Sequence, residues 1–99
     1  MIKCRWIAPC SMTFEGHAGY AKKGKDIVCA GVSTLWGTLI EELKSREWDG
    51  EGEISYKDGA ISFKAKNEAD IERVYAMVWR GILLLAGNFG EYIDAERTW

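Results

Sequence analysis

Residues 2–8 alternate, with Ile2, Cys4, Trp6 and Ala8 on one face and Lys3, Arg5 and Ile7 on the other. That period of two is the mark of a half-buried strand. Pro9 cannot donate to a strand ladder, so Ala8 to Ser11 predicts a tight connection. Met12 and Phe14 then alternate with Ser11, Thr13 and Glu15, a second strand ending at Gly16 and pairing with the first as a hairpin. Residues 16–26, GHAGYAKKGKD, hold three glycines and three lysines and no usable period. They predict a loop of unusual length for so short a chain.

From Asp26 the period changes. Val28, Val32, Leu35/Trp36, Leu39 and Leu43 recur at helical spacing, predicting a helix to about Glu47. Asp26 is its natural N-cap, since a carboxylate can accept from the free amides of the first turn. Gly31 and Gly37 each lower the helix propensity by about 1 kcal/mol relative to alanine, and close packing against another backbone is the expected reason. Trp48 to Gly52 reads as a turn. Glu53 to Lys57, Asp58-Gly59, and Ala60 to Ala65 then read as two strands joined by a two-residue type I′ turn. That turn would pair Lys57 with Ala60, Tyr56 with Ile61, Ser55 with Ser62 and Ile54 with Phe63. Asn67 caps a second predicted helix with Asp70 in its first turn, buried along Ile71, Val74/Tyr75, Val78, Ile82 and Leu85, and stopping near Gly87-Asn88. Tyr92 to Glu96 reads as a short edge strand or a tail.

The order is β-β-α-β-β-α with a short strand at the end as an option. Strands with one apolar face each, and two amphipathic helices, are satisfied by an α+β two-layer sandwich: a mostly antiparallel sheet with both helices on one face. The 99 residues are read as a single domain, 1–99. Five tryptophans, four tyrosines and three phenylalanines supply bulk for a core, although a domain this small often gains from oligomerisation.

Charge narrows the class of partner. Thirteen Lys and Arg stand against fifteen Asp and Glu, a net of -2, which argues against general nucleic-acid binding. No apolar run is long enough for a membrane span, and the first nine residues are too short for a signal peptide. Three cysteines without a CxxC spacing fit a reducing, cytoplasmic setting. Cys4 and Cys10 read as packing residues in a strand and a turn. A zinc site from Cys4, Cys10, His17 and Cys29 lacks paired-ligand spacing, and neither a metal nor a cofactor is expected. Lys22, Lys23 and Lys25 read as a solvated loop face; Trp48 and Trp99, outside the helical stripes, could line a groove or a dimer contact.

Cys29 is the thiol with chemistry in prospect. It falls in the first turn of the predicted helix, where free amides and the positive end of the helix dipole favour a thiolate. His17, the only histidine, stands twelve residues earlier at the mouth of the glycine-rich loop, which can fold back to bring the imidazole to the thiol as a base. Ser33 lies one turn beyond Cys29 on the same face, within hydrogen-bonding reach. The amides of Cys29 and Ala30 are candidate donors to an oxyanion. Against this, a helical cysteine is commonly a small buried hydrophobe. Spacing leaves both readings open.

The block Gly16-His17-Ala18-Gly19-Tyr20-Ala21, Gly24, Asp26-Ile27-Val28-Cys29-Ala30 and Val32-Ser33 closely resembles the signature of the ribosomal-processing cysteine protease family, Prp. The resemblance implies that His17 and Cys29 form the catalytic pair, with Asp26 and Ser33 in the same site. It implies a mobile loop between His17 and Cys29; with Gly16, Gly19, Tyr20 and Gly24 as the substrate-loop positions, residues 18–25 are expected to order over an extended peptide. It also implies a homodimer whose substrate is the N-terminal extension of a large-subunit ribosomal protein. Gly31 departs from the pattern, where a second alanine is usual, and the Pro9 turn is short. A phage-encoded relative acting on a virion protein, a non-catalytic module that holds a peptide tail, and a small thioesterase are the alternatives.

Overall fold

The computed structural model describes residues 1–22, 24–46, 50–55 and 60–99. The elements are β1 (Ile2–Ala8), β2 (Ser11–Glu15), α1 (Ile27–Ser45), β3 (Gly50–Ser55), β4 (Ala60–Ala65), α2 (Glu68–Asn88) and β5 (Ile93–Arg97). The strands form one mixed sheet in the order β3-β4-β2-β1-β5. The first hairpin turns at Pro9 and Cys10, with a register irregularity between Trp6 and Ala8 that lets so short a connection close. The tail is a strand: β5 pairs with β1 in parallel, Ile2 opposite Ile93 and Trp6 opposite Arg97, and is the sheet's second edge.

Alternation places Ile2, Cys4, Trp6, Met12, Phe14, Ile61, Phe63 and Ile93 in one core with Val28, Val32, Leu39 and Leu43 of α1 and Ile71, Tyr75, Val78 and Ile82 of α2. The α+β sandwich expected from the pattern is the observed architecture. Helix α1 ends at Ser45 rather than Glu47, with Arg46 as its C-cap. The Arg46 guanidinium binds Glu42 at 2.8 Å and also Asp70, joining the end of α1 to the start of α2. Helix α2 runs through Gly87 and Asn88 and is capped by Phe89, whose N–H donates to the Leu85 carbonyl at 2.7 Å.

Two expectations need correction. The helix glycines do not meet another backbone. A Cβ on Gly31 would lie 3.2 Å from the methyls of Leu85, and Leu35 fills the corresponding space at Gly81, whereas nothing lies within 4 Å of a Cβ on Gly37. Each helix therefore offers a glycine socket to a leucine of the other. In the second hairpin Ser55 pairs with Ala60 and Ile54 with Ile61, two residues away from the expected register. A slide of two keeps every side chain on its face. It sets Gly52 opposite Phe63, where a Cβ would come within 2.2 Å of the ring, so the phenylalanine lies across the glycine and β3 starts at Gly50, inside the expected turn. The predicted turn Asp58-Gly59, the predicted strand residues Tyr56 and Lys57, and Trp48 lie outside the described residues.

Trp99 packs edge-on against Trp6 at 5.1 Å, with the Arg97 guanidinium 4.0 Å from the Trp99 ring, so it closes the far end of β1 from within the chain. No helix among the described residues is long and apolar enough to cross a membrane.

Candidate active site

The topology gathers one pole of the molecule from distant parts of the chain: the starts of β1, β5 and α1 and the ends of β2 and α2. The Ile2 N–H donates to the Tyr92 carbonyl at 2.9 Å and closes this pole across the sheet.

Asp26 holds its centre. Its backbone is extended (φ -84°, ψ 99°), and its Oδ1 accepts the N–H of Val28 at 3.0 Å and of Cys29 at 2.9 Å, the N-cap expected. Its Oδ2 turns to the loop and accepts the N–H of Tyr20 at 3.0 Å and of Ala21 at 3.4 Å. One carboxylate thus fastens the loop to the helix start. These donors favour the charged form, led by the Cys29 amide, and hold the Asp26 carboxyl below its ordinary value of 3.8.

The loop reaches Cys29 because glycine reverses it on either side of His17 and Ala18. Gly16 (φ 91°) and Gly19 (φ 72°) both lie in the left-handed region that other residues avoid. Between them Ala18 buries its methyl and donates its N–H to the Cys29 Sγ at 3.3 Å. Ala18 N is bonded to the His17 carbonyl carbon, so the His17 backbone passes within about 5 Å of the sulfur. His17 is exposed, and its carbonyl accepts a hydrogen bond from the Met1 nitrogen at 2.6 Å. Gly16 also has a second reason to be glycine: a Cβ there would sit 2.5 Å from the Met1 carbonyl oxygen.

Tyr20 fixes the outer part of the loop. Its ring stands edge-on to Phe89 at 5.7 Å and to Tyr92 at 5.3 Å. Gly24 (φ 88°) lies within a turn closed by the Lys25 N–H on the Lys22 carbonyl at 2.9 Å; both lysines are exposed. Ser33 is exposed one turn beyond Cys29, and the hydrogen bonds that tie this corner together run through Asp26.

The expected oxyanion donors are not available in this arrangement. The Cys29 N–H is engaged by Asp26 Oδ1, and the Ala30 N–H donates to the Asp26 carbonyl at 3.0 Å. The side chain of an N-cap aspartate takes the Cys29 amide, and the N-cap carbonyl takes the Ala30 amide as the first bond of the helix. Sequence reasoning also missed the Ala18 amide, Met1, Phe89 and Tyr92. The aromatic pair follows the end of α2 some seventy residues from Tyr20, and no local pattern announces such a contact.

The remaining thiols have different surroundings. Cys4 is fully buried, and desolvation pushes its pKa up to about 12. Cys10 borders a cleft of about 470 Å³ with Gly52, Phe63, Lys64 and Glu68, at the opposite pole. Burial, then the charges of Glu68 and Glu72, raise its pKa. The open cleft thus holds a thiol disfavoured as a thiolate, whereas Cys29, half-buried at a helix start, receives a hydrogen bond on its sulfur.

Known proteins share this fold. Residues 1–94 match the family model described as cysteine protease Prp. No curated protein matches the sequence. Among solved structures, the ribosomal processing protease Prp from S. aureus with a covalently linked product peptide superposes with a TM-score of 0.79 at 15% identity, over 99% of this chain and 100% of that one. The same protease with a substrate peptide gives a TM-score of 0.73 at 15% identity and the same coverage. SMU.848 from Streptococcus mutans is 28% identical with a TM-score of 0.72, covering 99% of this chain and 94% of the other.

Proposed function

Because the chain belongs to the cysteine protease Prp family, we propose that this cysteine peptidase is an endopeptidase that removes the N-terminal extension of a bacterial large-subunit ribosomal protein, with Cys29 as nucleophile and His17 as general base. The observation that carries this reading is the Ala18 N–H on the Cys29 Sγ, which brings the histidine-bearing strand end onto the thiol at the start of α1. His17 takes the Cys29 proton, and the sulfur attacks the scissile carbonyl carbon. The C–N bond then breaks, with the proton passing from His17 to the leaving amine, and water hydrolyses the thioester. Asp26 holds the helix start and the loop in register during these steps, and Ser33 steadies the site by hydrogen bonding. The loop from Ala18 to Lys25 folds over the extended peptide by strand-like pairing.

The S. aureus relative was solved with substrate and product peptides, which supports a peptide substrate here. The cytoplasm, where ribosomal proteins are processed and free thiols persist, is the matching location, and a homodimer is the matching assembly. The test is incubation of the protein with the extended ribosomal precursor. Wild type should release the extension, whereas Cys29→Ala and His17→Ala should not. Cleavage at the wild-type rate by either variant overturns the assignment of the pair, and failure of the wild type to cut overturns the substrate.

A further inference from the structure

The amides expected to hold an oxyanion are occupied by Asp26, whereas one donor already points at the reacting sulfur. We propose that the backbone N–H of Ala18 is a catalytic group of this peptidase: it holds the Cys29 thiolate before attack and the oxyanion of the tetrahedral intermediate after it. This proposal rests on the Cys29 reading above.

The geometry favours it in three ways. The N–H is 3.3 Å from Sγ. When the sulfur bonds to a carbonyl carbon, the oxygen that takes the displaced electron pair lies on an atom adjacent to that sulfur. A small shift then brings the donor to the roughly 2.7–3.1 Å that an oxyanion requires. The donor is also preorganised: Gly16 and Gly19 turn the backbone inward on either side, the Ala18 methyl is buried, and the Met1 nitrogen holds the preceding carbonyl. Finally, the nearby amides of Tyr20, Ala21, Val28 and Cys29 all converge on the Asp26 carboxylate, so Asp26 would draw the Ala18 amide away from the sulfur only if the loop rearranged. Charge moves from sulfur to oxygen as the S–C bond forms, and back as the C–N bond breaks. One donor within reach of both atoms serves each stage.

The experiment replaces the amide between His17 and Ala18 by an ester, joining a synthetic segment of residues 1–28 to residues 29–99 at Cys29 by ligation. The ester keeps the chain's shape, removes the Ala18 N–H and also weakens the His17 carbonyl as the acceptor of the Met1 bond, a loss that an all-amide chain beginning at Ile2 measures separately. Against an all-amide chain made in the same way, the pH midpoint of Cys29 alkylation by iodoacetamide should rise by about one unit, as loss of a hydrogen bond to a charged group implies. The kcat for precursor cleavage should fall about 10²–10³-fold with little change in KM. Unchanged alkylation and kcat in the ester chain overturn the proposal, and a shifted midpoint with unchanged kcat overturns its oxyanion half. Should the all-amide chain cleave nothing, the peptidase reading fails, and the alkylation arm still decides the bond to sulfur. In the unmodified protein the Ala18 amide proton resonance should titrate with the Cys29 midpoint; a resonance indifferent to that titration counts against the proposal without need of the ester.

Discussion

Alanine substitution at four glycines should give opposite signs from identical chemistry. At Gly37, in the middle of α1, the backbone is helical and an added Cβ meets nothing within 4 Å. Alanine there removes unfolded-state freedom with no new contact and should stabilise by about 0.5–1 kcal/mol. At Gly19 and Gly24 the space is equally open but φ is 72° and 88°, so alanine should destabilise by about 1–2 kcal/mol from conformation alone. At Gly16 the same conformational term applies at φ 91°, and the Cβ would also lie 2.5 Å from a backbone oxygen, Met1 O. The start of β1 must then shift against its bond to Tyr92, adding about 1–3 kcal/mol. Gly37→Ala and Gly16→Ala should therefore differ by about 4 kcal/mol, or about 15–30 °C in Tm for a chain of this size. Urea titration of the four variants beside wild type, with common m-values, reads the series directly. A Gly16→Ala no worse than Gly24→Ala would show that β1 does not press on the loop. A destabilising Gly37→Ala would show that something covers the outer face of α1.

Tyr75 is fully buried, and its hydroxyl has no hydrogen-bond partner among the described residues, so Tyr75→Phe should raise stability by about 1 kcal/mol in the same titration; a loss of that size would reveal a partner. The pKa of Asp26 is lowered in the fold, so its contribution is present in full above its unfolded value of about 4 and is lost as pH falls through the still lower folded value. Asp26→Asn should accordingly flatten the acid limb of the stability–pH curve, and an unaltered limb would contradict the carboxylate's four bonds. Mass-resolved alkylation at pH 7 should label Cys29 first and leave Cys4, with its pKa pushed up to about 12, unlabelled until the protein unfolds; early labelling of Cys4 would contradict the core as described.

What the sequence made legible was whatever a short stretch of chain decides alone. Alternation gave β1, β2 and β4, helical spacing gave both stripes, and Asp26 and Asn67 marked both caps. The second hairpin's register was missed because a two-residue turn fits Asp58-Gly59 locally, whereas the observed pairing lets Phe63 lie across Gly52 from the other strand. The position of Cys29 followed from its cap. Its hydrogen-bonding partner did not, because the sense in which the loop closes depends on left-handed turns at Gly16 and Gly19 and on an aromatic seat supplied by Phe89 and Tyr92. The same local reasoning counted the Cys29 and Ala30 amides as free donors of a helix start, whereas the capping carboxylate takes the first and the Asp26 backbone carbonyl takes the second.

The reciprocal sockets of the two helices bear on how such chains diverge. Leu85 sits over Gly31 and Leu35 over Gly81, so neither member of a pair is free to change size alone. Where the family pattern has alanine at the position of Gly31, the extra methyl would press on the leucine at 3.2 Å, and a smaller residue opposite relieves it. Substitutions at these positions should therefore co-vary as exchanges of volume between helices, a correlation readable in aligned relatives. Gly31 lies two residues from Cys29, so drift in that exchange also sets how firmly the start of α1 is held against the end of α2. A change of volume at Leu85, far along the chain, can thereby reach the Cys29 sulfur through one turn of helix.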